Sequence, residues 1–199
     1  MKNNRLFRQF AVFLMLATMC LQLSACGVNT IPTQDEQVKA AWSQVENQYK
    51  RRADLIPNLV QTVKGYAKHE QDTLTAVVEA RAKATSVTLT PDQLGDKQAV
   101  QNFEGAQNQL TASLGRLLMV SENYPDLKAD QNFIALQSQL EGTENRIAVA
   151  RKDYIDAVQQ YNTTVRTFPG RLWAWMYGAK EKETFTAPAG AENAPAVQF

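Results

Sequence analysis

The hydrophobic positions of residues 127–168 repeat every seven residues, and a second series follows three residues after the first. Such a 3,4 spacing, sustained over about five heptads, predicts one long helix with coiled-coil-like packing. At about 1.5 Å per residue it would be about 60 Å long. The first series is Phe133, Leu140, Ile147, Tyr154, Tyr161 and Phe168, and the second is Leu136, Thr143, Ala150, Ala157 and Thr164.

The same spacing occurs upstream at Phe103, Leu110 and Leu117, and predicts a second helix over about 93–122. Thr90-Pro91-Asp92 has the chemistry of a helix start, with a capping side chain and proline in the first turn. Pro125 disfavours helical geometry at the residue before it, so Tyr124-Pro125 separates this helix from the long one.

A third helical pattern runs along residues 38–77 and contains Pro57. An interior proline removes a hydrogen bond and costs about 3 kcal/mol. We therefore expect one helix to end near Ala53 and another to begin with Asp54 as its cap. The predicted fold is all-α, an antiparallel up-and-down four-helix bundle of long helices. The alternative is three helices with the first kinked at Pro57. The positions of this apolar stripe are Val38, Trp42, Val45, Tyr49, Ile56, Leu59, Val63, Tyr66, Leu74 and Val77, together with Arg52, which is charged but continues the spacing.

The first 25 residues have the three parts of a secretory signal, namely basic residues, an apolar run of about 14 residues and a small-residue cleavage site. That run is short of the roughly 20 residues of a spanning helix. Leu23-Ser24-Ala25-Cys26 resembles the lipobox of bacterial lipoproteins, which predicts cleavage before Cys26 and lipid on its thiol. The alternative is an uncleaved signal anchor with Cys26 unmodified. Gly27 in place of Asp points, by resemblance to such lipoproteins, to the periplasmic face of the outer membrane in a two-membrane host.

The predicted organisation has four parts: a lipoprotein signal peptide (1–25), a linker (26–34), a helical bundle (35–185) and a disordered tail (186–199). An aromatic segment over 168–178 ends the bundle. Removal of three basic residues with the signal leaves 18 basic against 20 acidic residues and a formal charge of −2. This balance excludes a large basic surface for nucleic acid. Cys20 leaves with the signal, so no disulfide is expected.

Short motifs over most of residues 38–185 resemble the LemA family. The resemblance implies an all-helical bundle at a bacterial membrane, without an established activity, catalytic residues or a cofactor. It also suggests an envelope protein partner such as a membrane peptidase. Many members keep an uncleaved N-terminal membrane helix, from which this chain departs by its lipobox. The motifs are AWSQ (41–44), KRRADLIPNLV (50–60), VKGYAKHE (63–70), EAR (79–81), ENYPDLKA (122–129), LEGTENRI (140–147), ARKDY (150–154), YNT (161–163) and FP (168–169).

Charged residues inside the helical patterns are candidates for a polar network between helices or for a peptide-binding edge. The simpler interpretation, which we favour, is that they form solvated faces with a few pairs between helices. Glu144 and Arg146 lie two residues apart and do not share a helix face, so Glu144 is expected beside Arg151 or Lys152. The residues concerned are Arg51, Arg52, Asp54, Glu141, Glu144, Asn145 and Arg146.

His69 is the sole histidine and is followed by Glu70, but the run lacks the second histidine of a zinc-protease helix. We predict no metal ligands, no catalytic residues and no cofactor, and therefore no enzyme. The alternative, an envelope enzyme or metal-dependent hydrolase, predicts either a cluster of buried, convergent acids or His69 beside carboxylates in a cleft.

The segment over 168–178 is rich in aromatic residues, and Trp and Tyr rings favour the membrane–water interface. The candidate membrane-interface residues are Trp173, Trp175, Tyr177 and Arg171; the alternative is that this segment packs over the bundle end as core. The sequence thus predicts a membrane-anchored, non-enzymatic protein-interaction or scaffold module, held by membrane lipid through acylated Cys26. A structural spacer is the second alternative.

Overall fold

A computed structural model of the protein describes Ala11, Phe13, Met15 and residues 27–186. The predictions for the lipobox, for Cys26 and for the tail after Thr186 fall outside these residues. Residues 27–186 contain helices and no strand, so the all-α prediction is confirmed. The helices are α1 (Thr30–Tyr66), α2 (Gln71–Ser86), α3 (Lys97–Ser121), the short α4 (Pro125–Lys128), α5 (Gln131–Arg166) and α6 (Gly170–Tyr177), with a 3-10 turn at Pro91–Gln93.

The predicted heptad positions of α5 form its buried face, and Phe133, Tyr154 and Tyr161 are almost fully enclosed. The Asp130 side chain accepts a hydrogen bond from the Phe133 amide and caps the start of α5. Asp96 caps α3 in the same way, through the amides of Gln98 and Ala99. Apolar spacing therefore sets the faces of these helices, and acidic caps fix where they begin.

The two longest helices, α1 and α5, pack against each other along their lengths in opposite directions. Trp42 meets Tyr154 near one end, and the Tyr66 hydroxyl donates to Asp130 at the other. The shorter α2 packs against both α1 and α3. At about 1.5 Å per residue, the 36 residues of α5 span about 54 Å.

The hydrophobic core is divided into two clusters along the helix axes. The first cluster contains buried residues of α1 up to Tyr49, of α3 up to Phe103 and of α5 from Ile147 onward. It also includes Ala174 of α6. The second begins at Ile56 in α1 and Leu110 in α3, and includes α5 up to Leu140. The gap between the clusters falls at the same level in all three helices.

The predicted helix break at Pro57 is wrong, because α1 runs through this residue to Tyr66. A proline at position 57 has no N–H to donate to the carbonyl of Ala53, four residues earlier. The Nε of Arg81, on α2, donates to that carbonyl at 2.7 Å. A side chain from the neighbouring helix thus replaces the lost backbone hydrogen bond.

The chain reverses instead at residues 67–70, which separate α1 from α2. The helix predicted to begin with Asp54 as its cap is therefore divided between α1 and α2. The Ala67 amide still bonds to the Val63 carbonyl as α1 ends. At its other end, α1 begins at Thr30, inside the segment predicted to be linker.

Residues 178–186, which we call the C-terminal strap, return from α6 along the bundle. Gly178 adopts a left-handed conformation (φ 64°) that ends α6 and turns the chain, a conformation that glycine adopts without steric cost. The Asn162 amide donates to the carbonyl of Lys182 and accepts from its N–H. The Glu183 amide donates to the Leu94 carbonyl, so the strap bridges α5 and the loop before α3.

Phe185 anchors the strap in the first core cluster. Its ring packs 5.3 Å from the Tyr154 ring and 6.0 Å from that of Trp42, and the Arg151 guanidinium lies over it. The carboxylate of Glu104 accepts hydrogen bonds from the amide and hydroxyl of Thr186. Thr186, predicted as the first residue of a disordered tail, is therefore bound to the helices.

We predict that Arg81→Ala lowers the free energy of unfolding by about 1–3 kcal/mol, because it leaves the Ala53 carbonyl without a partner. In a Pro57→Ala background the new amide at position 57 donates to that carbonyl, so the same substitution should cost at least about 1 kcal/mol less. Urea unfolding of the unchanged protein, the two single variants and the double variant measures the coupling energy between positions 57 and 81. Lys83→Ala, also on α2, is the control and should cost the same in both backgrounds; equal costs for Arg81→Ala would contradict the assignment.

Phe185→Ala should destabilise the protein by about 3 kcal/mol, because it empties an aromatic site in the core. The matched control is Phe168→Ala, because Phe168 is 86% exposed. That change should stay within about 0.5 kcal/mol of the unchanged protein. Thermal unfolding followed by circular dichroism compares the two; similar midpoints for both variants would show that the strap adds nothing to stability.

Candidate functional site

A polar layer fills the gap between the two core clusters. Arg52 and Gln107 are buried at its centre, and Thr111 and Glu144 complete it toward the surface. These four residues are called the buried polar layer below. Arg52 is 1% exposed. One terminal nitrogen donates to Glu144 and Thr111, each at 2.9 Å, and the other donates to the Gln107 side chain at 2.7 Å. One guanidinium thereby joins α1, α3 and α5.

Gln107 extends the buried polar layer to α2, because its amide nitrogen donates to the Ala84 carbonyl at 3.2 Å. The guanidinium of Arg52 also lies 5.0 Å from the centre of the Tyr49 ring. Burial raises the pKa of the Tyr49 hydroxyl. The layer connects the helices through both terminal nitrogens of Arg52, while its buried Nε has no hydrogen-bond partner among the described residues.

The favoured interpretation is wrong for Arg52, which is buried in a polar network rather than solvated, whereas its bond to the partly exposed Glu144 is one of the expected pairs between helices. The expected partners of Glu144 are also wrong. Arg151 pairs with Glu104 across to α3, and Lys152 pairs with Asp156 on α5. The signal for Arg52 was present in the sequence, since it occupies a position of the apolar stripe of α1.

The other charged candidates remain at the surface. Arg51 and Asp54 are exposed, as are Glu141, Asn145 and Arg146. Glu141 accepts a hydrogen bond from Gln137, and Arg146 donates to the Thr143 hydroxyl within α5. These residues are not brought into the buried polar layer.

An open groove of about 480 Å³ lies beside the polar layer, between α1, the end of α2 and α3. Tyr49 and Phe103 contribute apolar surface, and Glu46, Lys50 and Asp54 add charges of both signs. Partial burial raises the pKa of the Glu46 carboxyl. The lining provides mixed polar and apolar contacts without a concentration of one charge.

His69 lies in the turn after α1 and is exposed. Within the part of the chain that the structure describes, no three His, Cys, Asp or Glu side chains are grouped to hold a metal ion. One of the two arrangements expected for the hydrolase alternative, His69 beside carboxylates in a cleft, is not found among these residues.

The predicted membrane-interface residues divide between two sides of α6. Trp175 is 82% exposed, and Tyr177 and Arg171 are also exposed. Trp173 instead packs against the first core cluster. Sequence reasoning missed Phe168, Leu172 and Met176, which are exposed and apolar. Phe168, Leu172, Trp175 and Met176 together are called the apolar face below.

The start of the described chain lies against α6. A Cβ built on Gly27 would lie 3.2 Å from the Nε1 atom of Trp173. The base of α6 is also tightly seated, because a Cβ on Gly170 would come within 2.2 Å of the Thr164 carbonyl oxygen. Only glycine permits this approach, so α6 is held closely against the end of α5.

Charges around α6 are mostly basic. Between residues 166 and 182 there are four basic residues and one acidic residue. Arg166 binds the Glu181 carboxylate and lowers its pKa, and Lys182 pairs with Asp35 at 2.9 Å. Among the described residues, Arg171 and Lys180 have no salt-bridge partner. The described residues also include no helix that is long and apolar enough to cross a membrane.

Comparison with known protein families agrees with the motif resemblance. The model of the LemA family matches residues 41–199, which is most of the chain, so the chain belongs to the LemA family. A search of curated proteins found no match. The family prediction is confirmed, and the lipoprotein form of the N-terminus stays a prediction.

The buried polar layer predicts an asymmetry between its two charged partners. Glu144→Ala should cost about 3–5 kcal/mol, because it leaves the fully buried Arg52 without a counter-charge. Arg52→Met should cost less, because the Glu144 side chain is 40% exposed and can be solvated. The double variant should be more stable than Glu144→Ala alone. Urea unfolding tests the order; a larger loss for Arg52→Met than for Glu144→Ala would contradict it.

Proposed function

We propose that this protein is a lipid-anchored helical module of the bacterial envelope, which acts by binding another envelope protein rather than by catalysis. Lipid on Cys26 holds it on a membrane, and the α1–α5 pair projects from there. In a host with two membranes, Gly27 in place of Asp favours the periplasmic face of the outer membrane.

The observation that carries this proposal is the contact between Gly27 and Trp173 at one end of the bundle. Cys26 is the residue directly before Gly27 in the sequence. A lipid there would tether a stiff domain through a very short connection. More than one acyl chain gives a stable anchor, since each buried CH₂ contributes about 0.8 kcal/mol.

A non-enzymatic role is supported by the use of the buried charges. Arg52 and Glu144 are committed to each other, and Arg151 with Glu104 holds the strap. The long paired helices offer an extended surface to a partner. Membership of the LemA family suggests a membrane peptidase as the class of partner. A purely structural spacer is the second candidate, favoured by the length of α1 and α5.

We predict that the mature protein begins at Cys26 and carries diacylglycerol on its sulfur. Intact-mass and N-terminal peptide mass spectrometry of the protein extracted from membranes reads this directly. Cys26→Ala should keep residues 1–25, because the peptidase of this pathway acts after lipid attachment. Density fractionation of the membranes then assigns the unchanged protein to one of them.

Cys20→Ala is the matched control, since Cys20 is the other cysteine and lies in the predicted signal. It should leave both the mature mass and the fractionation unchanged. An unmodified Cys26 on the unchanged protein, or processing of Cys26→Ala at the same bond, would overturn the anchor.

A further inference from the structure

We propose that the apolar face is a docking surface for the lipid bilayer, and that it lies among the headgroups while Cys26 anchors the chain beside it. This inference rests on the proposed function and extends it. The anchor alone would leave the domain free to rotate about a short connection. The apolar face gives the domain a defined side to rest on.

The apolar face is formed by helix geometry. Leu172, Trp175 and Met176 are spaced three and four residues apart, so they share one side of α6. Phe168 precedes the helix and is also exposed. The opposite side carries Gly170 and Ala174, which are buried, so the amphipathic character of α6 is set by packing on the bundle.

This exposure requires an occupant, because contiguous apolar surface is rarely left to water. Of the twelve large hydrophobic residues exposed in the described chain, five lie between 168 and 177. The other exposed residues are scattered along the chain. Met119 and Val149, for example, lie on α3 and α5.

The position of the lipid anchor identifies the occupant as a bilayer. Gly27 touches Trp173, whose helix presents the apolar face on its other side. Cys26, the predicted lipid attachment residue, directly precedes Gly27 in the sequence. A lipid attached there would join the protein at the end of the domain that carries the apolar face.

The chemistry of the segment suits the membrane–water interface. An indole ring sits there with its apolar body toward the chains and its N–H toward water, and basic side chains meet the phosphate groups. Arg171 lies next to the apolar face on α6, and Lys180 follows the helix. Both cations are available for anionic headgroups.

The packing of α6 on the bundle holds the apolar face rigid before it contacts lipid. The close approach of Gly170 to Thr164 fixes the start of the helix, and Ala174 and Trp173 pack on the first core cluster. A surface held in this way loses little freedom on docking. Trp173 is thus a support, and Trp175 is the membrane-facing tryptophan.

Spin labels on the mature, lipidated protein in vesicles of phosphatidylcholine and phosphatidylglycerol test the inference. Met176→Cys places one label on the apolar face, and Met119→Cys places the matched control on an exposed methionine of α3. With Cys26 lipidated, each introduced cysteine is the single free thiol of the mature chain. For each label we compare its accessibility to oxygen with its accessibility to a water-soluble nickel complex. We expect this oxygen-to-nickel ratio to be severalfold higher for the label at 176 than for the label at 119.

The alternatives give different accessibility. A label at 176 that is open to the nickel complex on lipidated protein lies in water, and one shielded from both reagents lies against protein; either result overturns the bilayer docking. Adding Leu172→Glu and Trp175→Glu should return the label at 176 to water while unfolding midpoints stay the same. If it does not, the apolar face is not what docks. Mass spectrometry of the same samples reads the lipid on Cys26, and its absence would overturn the proposed function as well.

Discussion

The guanidinium of Arg52 is the constraint on which the packing of this protein depends. Burying a cation costs several kcal/mol unless its charge and donors are matched. Here Gln107, Thr111 and Glu144, on α3 and α5, match the charge and the two terminal nitrogens, while the buried Nε has no partner among the described residues. These groups reach Arg52 only when α1, α3 and α5 are correctly aligned along their axes. The polar layer thereby fixes an axial register that two apolar clusters, which tolerate sliding, do not fix by themselves.

The ends of the molecule follow from that register. With the helices level, the first core cluster closes at the end where α1 begins and α5 finishes. There the strap inserts Phe185 against Trp42 and Tyr154, and burial raises the pKa of the Tyr154 hydroxyl, which donates to the Glu183 carbonyl. The same end carries α6 and Gly27, the residue that follows Cys26 in the sequence. One interior interaction thus determines which surfaces are brought together at the end that we assign to the membrane.

Apolar periodicity predicted most of the helical fold because it depends on neighbours within one helix. Leu140, Ile147 and Tyr154 are buried where the heptads placed them. The periodicity overreached at Phe168, which continues the heptad series but follows the end of α5 at Arg166 and is therefore exposed. That termination turns a predicted core residue into part of the apolar face.

The features that the sequence did not predict are long-range. The strap has no periodic pattern, and its bonds reach from Lys182 to Asn162 and from Thr186 to Glu104. Arg52 stood on the apolar stripe, but its partners lie 55 to 92 residues away. Pro57 does remove a backbone hydrogen bond from α1, as its chemistry predicts. The donor that compensates for this loss, Arg81, lies on another helix.

The bond between Arg81 and the Ala53 carbonyl also constrains the order in which this sequence can have changed. A proline that arises at position 57 before a donor stands at 81 leaves a carbonyl without a partner in the middle of α1. An arginine that arises first meets a carbonyl that is already bonded, and it adds little until the proline appears. The permissive step is therefore the arginine, and once both are present its loss is the step that selection opposes. The effects of two residues 24 positions apart are in this sense coupled.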